Sequence, residues 1–377
     1  MNNLLTIPPL SLYIHYPWCL KKCPYCDFNS HEGEVKTGYI NALIEDLEGD
    51  LKYVQNRAIE SIFIGGGTPS LMSTEDANDL IDGLKERLTF SDNVEITMEA
   101  NPGTFEVEKF AEFRNIGINR LSIGVQSFED RQLKFLGRVH SSNEAINAIT
   151  EAQRVGFKNL NIDLMYGLNG QSIDMCIEDL NKAIELNPSH ISFYQLTLEP
   201  NTLFSKFPPR LPSEEVIWEM GEKGANLLNK KGFRQYEVSA YSTTPSIHNL
   251  NYWTFGDYIG IGAGAHGKIT DMNTHQIFRT LKLKSPNEYL LSFKKNKKTS
   301  RKKMVDSLSF EFMLNGLRLI DGFDSGLYES RTGFSIESVR SQIIKAEKLN
   351  LLDTRDNWIK PTKSGYSFLN ELQEIFL

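Results

Sequence analysis

An α/β fold built on a parallel sheet is predicted by three observations. Strand-length apolar runs and helix-length amphipathic stretches alternate six times over residues 11–198. The runs are rich in Ile, Leu, Val and Phe, as expected of strands covered on both faces. Polar or glycine-rich groups recur where the runs end, and active sites of parallel sheets lie at the carboxyl ends of strands. Six βα units make an open sheet or a partial barrel; a complete eight-unit barrel needs two more.

The elements follow in order. Residues 11–17 read as the first strand and 35–55 as a helix. A strand at 59–64 ends in Gly65-Gly-Gly67. Residues 74–88 are helical, with Ser73 as N-cap, because a serine hydroxyl accepts an orphan N–H of the first turn. Strands at 94–99, 119–125, 159–166 and 190–198 alternate with a short helix at 107–115, one or two helices over 129–155, and a helix at 173–186. Beyond Thr202 the pattern changes to a helix at 213–231, a strand at 237–241 and an aromatic, Gly-rich stretch from His248 to Gly267. From about Ser307 a new unit begins. It has helices at 309–319 and 336–349, a hairpin of 351–353 with 358–360, and a last helix at 362–376. Helices plus a hairpin predict a small winged-helix-like module. The expected divisions are 1–205 for the βα units, 206–293 for an extension carrying the aromatic stretch, 294–306 for a basic linker, and 307–377 for the C-terminal module.

Composition narrows the class. The 377 residues are 40% hydrophobic and 24% charged, as in soluble globular proteins. No apolar run reaches the roughly 18 residues of a membrane span. The start, Met1-Asn-Asn-Leu-Leu-Thr-Ile-Pro-Pro, lacks the features of a signal peptide, so a cytoplasmic protein is expected. A net charge of −7 provides no general attraction to nucleic acid. Seven of the ten residues 294–303 are basic. Such a block is ordinarily a solvated linker, and its sharper reading is a docking patch for anionic lipid or carboxylates.

Three of the four cysteines stand together in Cys19-Leu-Lys-Lys-Cys23-Pro-Tyr-Cys26, which argues for a metal or redox site over disulfides. A four-iron cluster normally takes four thiolates, so three leave one iron open. Cys19, Cys23, Cys26 and His31 also satisfy a Cys3His zinc count, but zinc accounts for none of the polar groups at the other strand ends. Cys176 reads as helix filler. Glycines at 65–67 let backbone approach a ligand. Glu99, Gln126 and Asp163 offer acceptors and an amide suited to ribose hydroxyls or an amino group, and Arg138 a fork for a carboxylate.

The C-x3-C-x2-C spacing after a first strand resembles the radical S-adenosylmethionine (SAM) superfamily. That resemblance implies a radical SAM partial (β/α)6 barrel with a [4Fe–4S] cluster on Cys19, Cys23 and Cys26. The amino and carboxylate groups of SAM would chelate the open iron, and reduction would split SAM to methionine and a 5′-deoxyadenosyl radical. Tyr13-Ile-His-Tyr-Pro-Trp-Cys19, Gly65-Gly-Gly-Thr-Pro69, Glu99-Ala-Asn-Pro102, Ser122-Ile-Gly-Val-Gln-Ser127 and Asp163-Leu-Met-Tyr-Gly-Leu168 are similar to motifs of the oxygen-independent coproporphyrinogen III oxidase family. The resemblance spans nearly the whole chain. It implies SAM contacts at Tyr13, Gly66, Gly67, Glu99, Gln126, Arg138 and Asp163, with Gln195 at a further contact position.

Two departures refine the expectation. Phe28 stands where the oxidases carry one more cysteine, and only about ten residues precede the first strand, where the oxidases have a long extension. These features, with His248-Asn-Leu-Asn-Tyr-Trp253 as an HNxxYW motif, resemble the HemW branch of heme chaperones. That branch implies a protein of porphyrin metabolism that binds heme, hands it to acceptor hemoproteins, and lacks oxidase activity. Membrane association through a partner stays open. His248 is the candidate heme ligand, since a neutral imidazole ligates heme iron and Tyr252 and Trp253 suit a porphyrin face. By composition alone such a histidine is more often a hydrogen-bonded loop residue. His266 is a second candidate and His15 a third. Radical decarboxylation of coproporphyrinogen III propionates is the alternative function. A non-redox, zinc-stabilised nucleoside-binding protein is the second alternative.

Overall fold

The computed structural model describes residues 4–103, 107–295 and 299–377. Six parallel strands stand side by side in chain order: β1 (Leu10–Tyr16), β2 (Ile59–Gly66), β3 (Phe90–Ala100), β4 (Arg120–Gln126), β5 (Asn159–Tyr166) and β6 (His190–Gln195). Between them run α1 (Tyr39–Asp50), α2 (Thr74–Lys85), α3 (Phe110–Ile116), α4 (Asp130–Phe135), α5 (Ser142–Arg154) and α6 (Ile173–Glu185). The helix starts follow local chemistry. Ser73 accepts the N–H of Asp76, and Ser141 forms a reciprocal capping box with Glu144. Residues 129–155 are two helices. Between them the chain turns through Gly137 at φ 72°.

The sheet extends past both ends of the six-strand run. After α7 (Glu214–Lys230), β7 (Ala240–Ser242) pairs antiparallel with β6. The chain then forms a helix, α8 (Ile247–Trp253), and returns across the barrel so that β8 (Asp257–Ile261) lies parallel to β1 on its free side. β9 (His266–Asp271), β10 (Gln276–Lys282), α9 (Pro286–Lys294) and β11 (Ser300–Met304) follow, with the strands continuing the sheet antiparallel from β8. The segment expected as a basic linker therefore differs in part: residues 300–304 are an edge strand whose Arg301, Lys302 and Lys303 are exposed. Such charges blunt edge-to-edge pairing. Lys297 and Lys298 lie outside the described residues.

The strands are not apolar on both faces. Leu12, Ile14, Ile62, Ile64, Met98, Leu121, Ile162 and Ile191 pack outward in the main core. The alternate positions, among them Ser11, Ser61, Glu95, Arg120, Asn161 and His190, are buried polar groups that hydrogen-bond or ion-pair with one another and with α8. A polar interior is stable because its groups find partners there.

A second core gathers α10 (Leu308–Gly316), α11 (Ser325–Thr332), α12 (Arg340–Lys348) and the hairpin β12 (Leu352–Arg355) and β13 (Trp358–Pro361) around Phe312, Tyr328, Ile343 and Ile359. The expected last helix breaks at Phe368 into α13 (Lys363–Ser367) and α14 (Leu369–Glu374). Phe255, just after α8, belongs to this second core, so the barrel contributes a side chain to it. Among the described residues no helix is long and apolar enough to cross a membrane.

Candidate functional site

The carboxyl ends of β1–β6 converge on a cavity of about 470 Å³. It is lined by Cys19, Cys23, Cys26, Gly66, Gly67, Glu99, Gln126, Arg138, Asp163 and Gln195 among others. Every residue expected at the cluster or at SAM, save Tyr13, is on this one wall.

Cys19 ends a two-residue strand, Trp18–Cys19, that follows β1 and pairs with His31–Glu32, and Cys23 and Cys26 lie on the turn between these strands. Cys19 is buried, and Cys23 and Cys26 are half-buried. Burial raises the Cys19 thiol above its ordinary value; Ser30 opposes that, and Cys26 and Cys23 add to it. Thiolates buried side by side are costly unless a cation joins them, so as metal ligands these three thiols fit a cationic cluster. Among the described residues no His, Cys, Asp or Glu trio is grouped tightly enough to hold a single ion. The three thiols line one cavity together with the polar groups of the other strand ends.

The glycine turn is held from two sides. Gly67 lies so close to the segment after β1 that an added Cβ would run into the Trp18 carbonyl oxygen. The Gly66 N–H donates to Glu99 Oε2 at 2.9 Å. Burial pushes the Glu99 carboxyl up to about 7; the Gly66 hydrogen bond opposes this and Asp163 reinforces it. Asp163 is also raised by burial, against hydrogen bonds from Asn161 and Ser192. Such perturbed carboxyls in a cleft mark a functional site.

Gln126 ends β4 at φ 72°, after a register shift between Ile123 and Gln126. This left-handed conformation is costly for a non-glycine residue and is found where a side chain must be aimed. Its Oε1 accepts the Tyr194 hydroxyl at 2.7 Å. Arg138 donates to Asn101 Oδ1 at 2.6 Å and to the Gly124 carbonyl at 2.8 Å, with Nη1 3.8 Å from Cys23 Sγ. Its Nε is buried without a partner among the described residues, an orphaned donor at the cavity. Tyr13 faces a neighbouring cavity and hydrogen-bonds His15 Nδ1 at 2.9 Å.

The HNxxYW stretch is a helix, not a loop. α8 enters the amino-terminal half of the barrel, where Glu95 accepts the Ser246 hydroxyl and the Ile247 and His248 N–H groups at 2.8–3.2 Å. Asn251 Nδ2 donates to Ser11 Oγ and to the Asp257 carbonyl. Trp253 carries the Arg318 guanidinium 4.3 Å above its ring, an attraction that ties α8 to the C-terminal module.

His248 differs most from expectation. It is 1% exposed, with Nδ1 at 2.8 Å from Ser61 Oγ and Nε2 at 3.1 Å from the Tyr252 hydroxyl. Burial, helped by Arg120, lowers its pKa to about 3, so the ring is neutral. As placed, neither nitrogen is open to iron, because Ser61 and Tyr252 engage both. Cys176 is buried in α6, its thiol pushed up to about 12 chiefly by burial, as filler should be.

Several site residues are not among the sequence expectations. Tyr194, Arg120, Asn161, Ser192 and Asn101 also line the cavity. Asn249 of α8 donates to the Tyr236 hydroxyl, which reaches His190 Nε2; His190 Nδ1 reaches Asn161 Oδ1, and Asn161 Nδ2 donates to Asp163. This chain connects α8 to the cavity. Its signal was present as alternating polar residues in β4–β6, at 120/122, 161/163 and 190/192/194.

The sequence pattern of the Radical SAM superfamily matches residues 13–183. Heme chaperone HemW of Escherichia coli (strain K12) is 45% identical over 379 residues, covering 99% of this chain and all of that protein. Heme chaperone HemW of Haemophilus influenzae (strain Rd) is 46% identical, covering 98% of each chain, and that of Bacillus subtilis (strain 168) is 32% identical, covering 97% of this chain and 99% of the relative. The solved coproporphyrinogen III oxidase (HemN) of Escherichia coli superposes with a TM-score of 0.83 at 21% identity, over 98% of this chain and 90% of the other. That likeness establishes the shared fold.

Proposed function

The chain belongs to the HemW family of radical SAM proteins, and from that premise we propose that it is a heme chaperone holding a [4Fe–4S] cluster and SAM. The single observation carrying this reading is the convergence of three thiols, a glycine turn and the five polar side chains Glu99, Gln126, Arg138, Asp163 and Gln195 on one cavity. Cys19, Cys23 and Cys26 would hold the cluster. When bound, the cluster supplies an iron open to the amino and carboxylate groups of SAM.

The chain's own residues do the rest. Gly66 and Gly67, whose missing Cβ atoms make room for the His15 ring and the Trp18 carbonyl, would present backbone to the methionyl end. Glu99, anchored by Gly66, offers an acceptor for its amino group. Arg138 brings a cation and an unpaired N–H to a carboxylate. Asp163 and Gln126, held by Asn161 and Tyr194, would meet the ribose side, Gln195 would add a contact, and Tyr13, in the contiguous neighbouring cavity, is assigned to SAM by the family resemblance alone. Heme is the cargo, passed to acceptor hemoproteins.

Metal analysis with SAM and heme titration tests the proposal. About four irons and four sulfides per chain, SAM binding that needs the cluster, and stoichiometric heme are expected. One zinc without iron would instead establish the nucleoside-binding alternative. Conversion of coproporphyrinogen III by the loaded protein would establish the oxidase.

A further inference from the structure

A second cavity, of about 780 Å³, opens on the other side of the cysteine turn. Cys26, Phe28, Gly66 and Glu99 line both cavities, so the two are contiguous. Its volume lies within the range of sites for small organic ligands and cofactors. Its far wall is formed by Tyr252, Tyr258, His266 and Lys284.

The walls are mixed, with Phe28, Tyr252 and Tyr258 offering apolar faces for a flat ring system, Lys22 and Lys284 offering cations for acidic edges, and Asp27 and Glu99 on the cysteine-turn and strand-end side. Phe28 is 58% exposed on the cysteine turn, and an exposed phenylalanine at a cavity mouth offers a face for stacking. Tyr252 and Tyr258 meet edge to face at 4.5 Å on the opposite side. Lys284 supplies a cation at the rim. Asn29 donates from Nδ2 to the carbonyls of Ala263 and Lys284, both at 2.9 Å. This staple fixes the cysteine turn against the segment that carries His266.

The histidines of this cavity differ in engagement: His15 has both ring nitrogens bonded, His31 has one, and His266 has neither among the described residues. His15 has Nδ1 on the Tyr13 hydroxyl and Nε2 on the Asn29 carbonyl. His31 has Nε2 on Asn29 Oδ1, and His248 is outside the cavity with both nitrogens engaged. His266, the first residue of β9, is exposed and its ring has no hydrogen bond among the described residues. Burial and the nearby Lys284 and Arg279 lower its pKa, which favours the neutral form that binds iron.

We infer that this second cavity is the heme site, with His266 as axial ligand, Phe28 against the porphyrin face and Lys284 toward a propionate. The inference rests on the heme-carrier reading and adds where the heme sits. Cargo held there would lie beside the cluster, across a single turn of chain.

The test is hemin titration of the full-length, cluster-loaded protein, followed by Soret absorbance and resonance Raman. His266→Ala should weaken binding by on the order of tenfold or more and abolish the histidine–iron signature. Added imidazole should restore that signature in His266→Gly. Lys284→Glu should weaken binding with the ligand signature retained. Iron content and SAM affinity should stay at wild-type levels in all three. Heme binding by His266→Ala with wild-type affinity and spectrum would overturn the inference and leave the carrier reading standing. Absence of heme binding by the wild-type protein would overturn both.

Discussion

Glu99 of β3 accepts the backbone N–H of Gly66 from the end of β2, at 2.9 Å. One carboxyl thus both shapes the glycine turn and faces the cavity. Its raised value, about 7, follows first from burial and then from the repulsion of Asp163, against the Gly66 hydrogen bond.

This gives SAM affinity a pH dependence of definite sign. Below about 7 the carboxyl is protonated and is the weaker acceptor; above it the carboxylate is available. If the contact requires the ionised form, affinity should rise roughly tenfold between about pH 6 and 8. Glu99→Gln keeps an oxygen for Gly66 but cannot ionise, so its profile should be flat. Calorimetric titration across that range checks this, and a flat wild-type profile would remove Glu99 from the contact.

Gly67→Ala should disrupt the site more than Gly65→Ala. The new Cβ at 67 meets backbone, the Trp18 carbonyl, whereas at 65 it meets the Phe63 ring at 2.8 Å. A ring can turn aside, but a paired strand cannot. The expected cost at 67 is on the order of 1–3 kcal/mol, with loss of SAM binding. Denaturant midpoints and SAM titration of the two variants decide it.

His248→Ala should destabilise the fold and leave heme affinity unchanged. It leaves Ser61 and Tyr252 without their partner inside the barrel and opens a void. A cost of about 2–4 kcal/mol is expected. Weakened heme binding at full stability would return His248 to the role of ligand.

Asp257→Asn should cost about 3–5 kcal/mol, because Lys268 and Arg57 would lose their buried counter-charge. Burial alone would raise this carboxyl, but Lys268 and Arg57 outweigh it and hold the group below its ordinary value. A depressed folded value means the stability is present above the unfolded value, about 3.9, and is lost as pH falls through the folded one. The wild-type protein should therefore lose this contribution below about pH 4, while the variant should lack that step. Acid unfolding followed by circular dichroism measures both.

The βα order and the strand-end residues were legible because they depend on local pattern. Periodicity marked strands and helices to within a few residues: the expected 159–166 is Asn159–Tyr166, and 173–186 is Ile173–Glu185. α8 was not legible. Its seven residues are too short for a periodic signal, and it is helical because Glu95, Ser11 and Ser61, far away in the chain, take its polar groups. The edge strand at 300–304 was hidden for a related reason: its charges read as solvated linker, and only pairing with β10 makes it a strand.

Sequence by itself determined the six-unit α/β order, the three-thiol turn, and the glycine and carboxyl positions at the strand ends. These are properties of spacing, and spacing is local. Tertiary structure alone decided which histidine is free. His248 and His266 both fall in the 248–267 stretch of the chain, but folding buries the first among protein partners and leaves the second exposed at a cavity edge. A side chain's availability depends on what the rest of the fold takes from it, and that is set by contacts between residues distant in sequence.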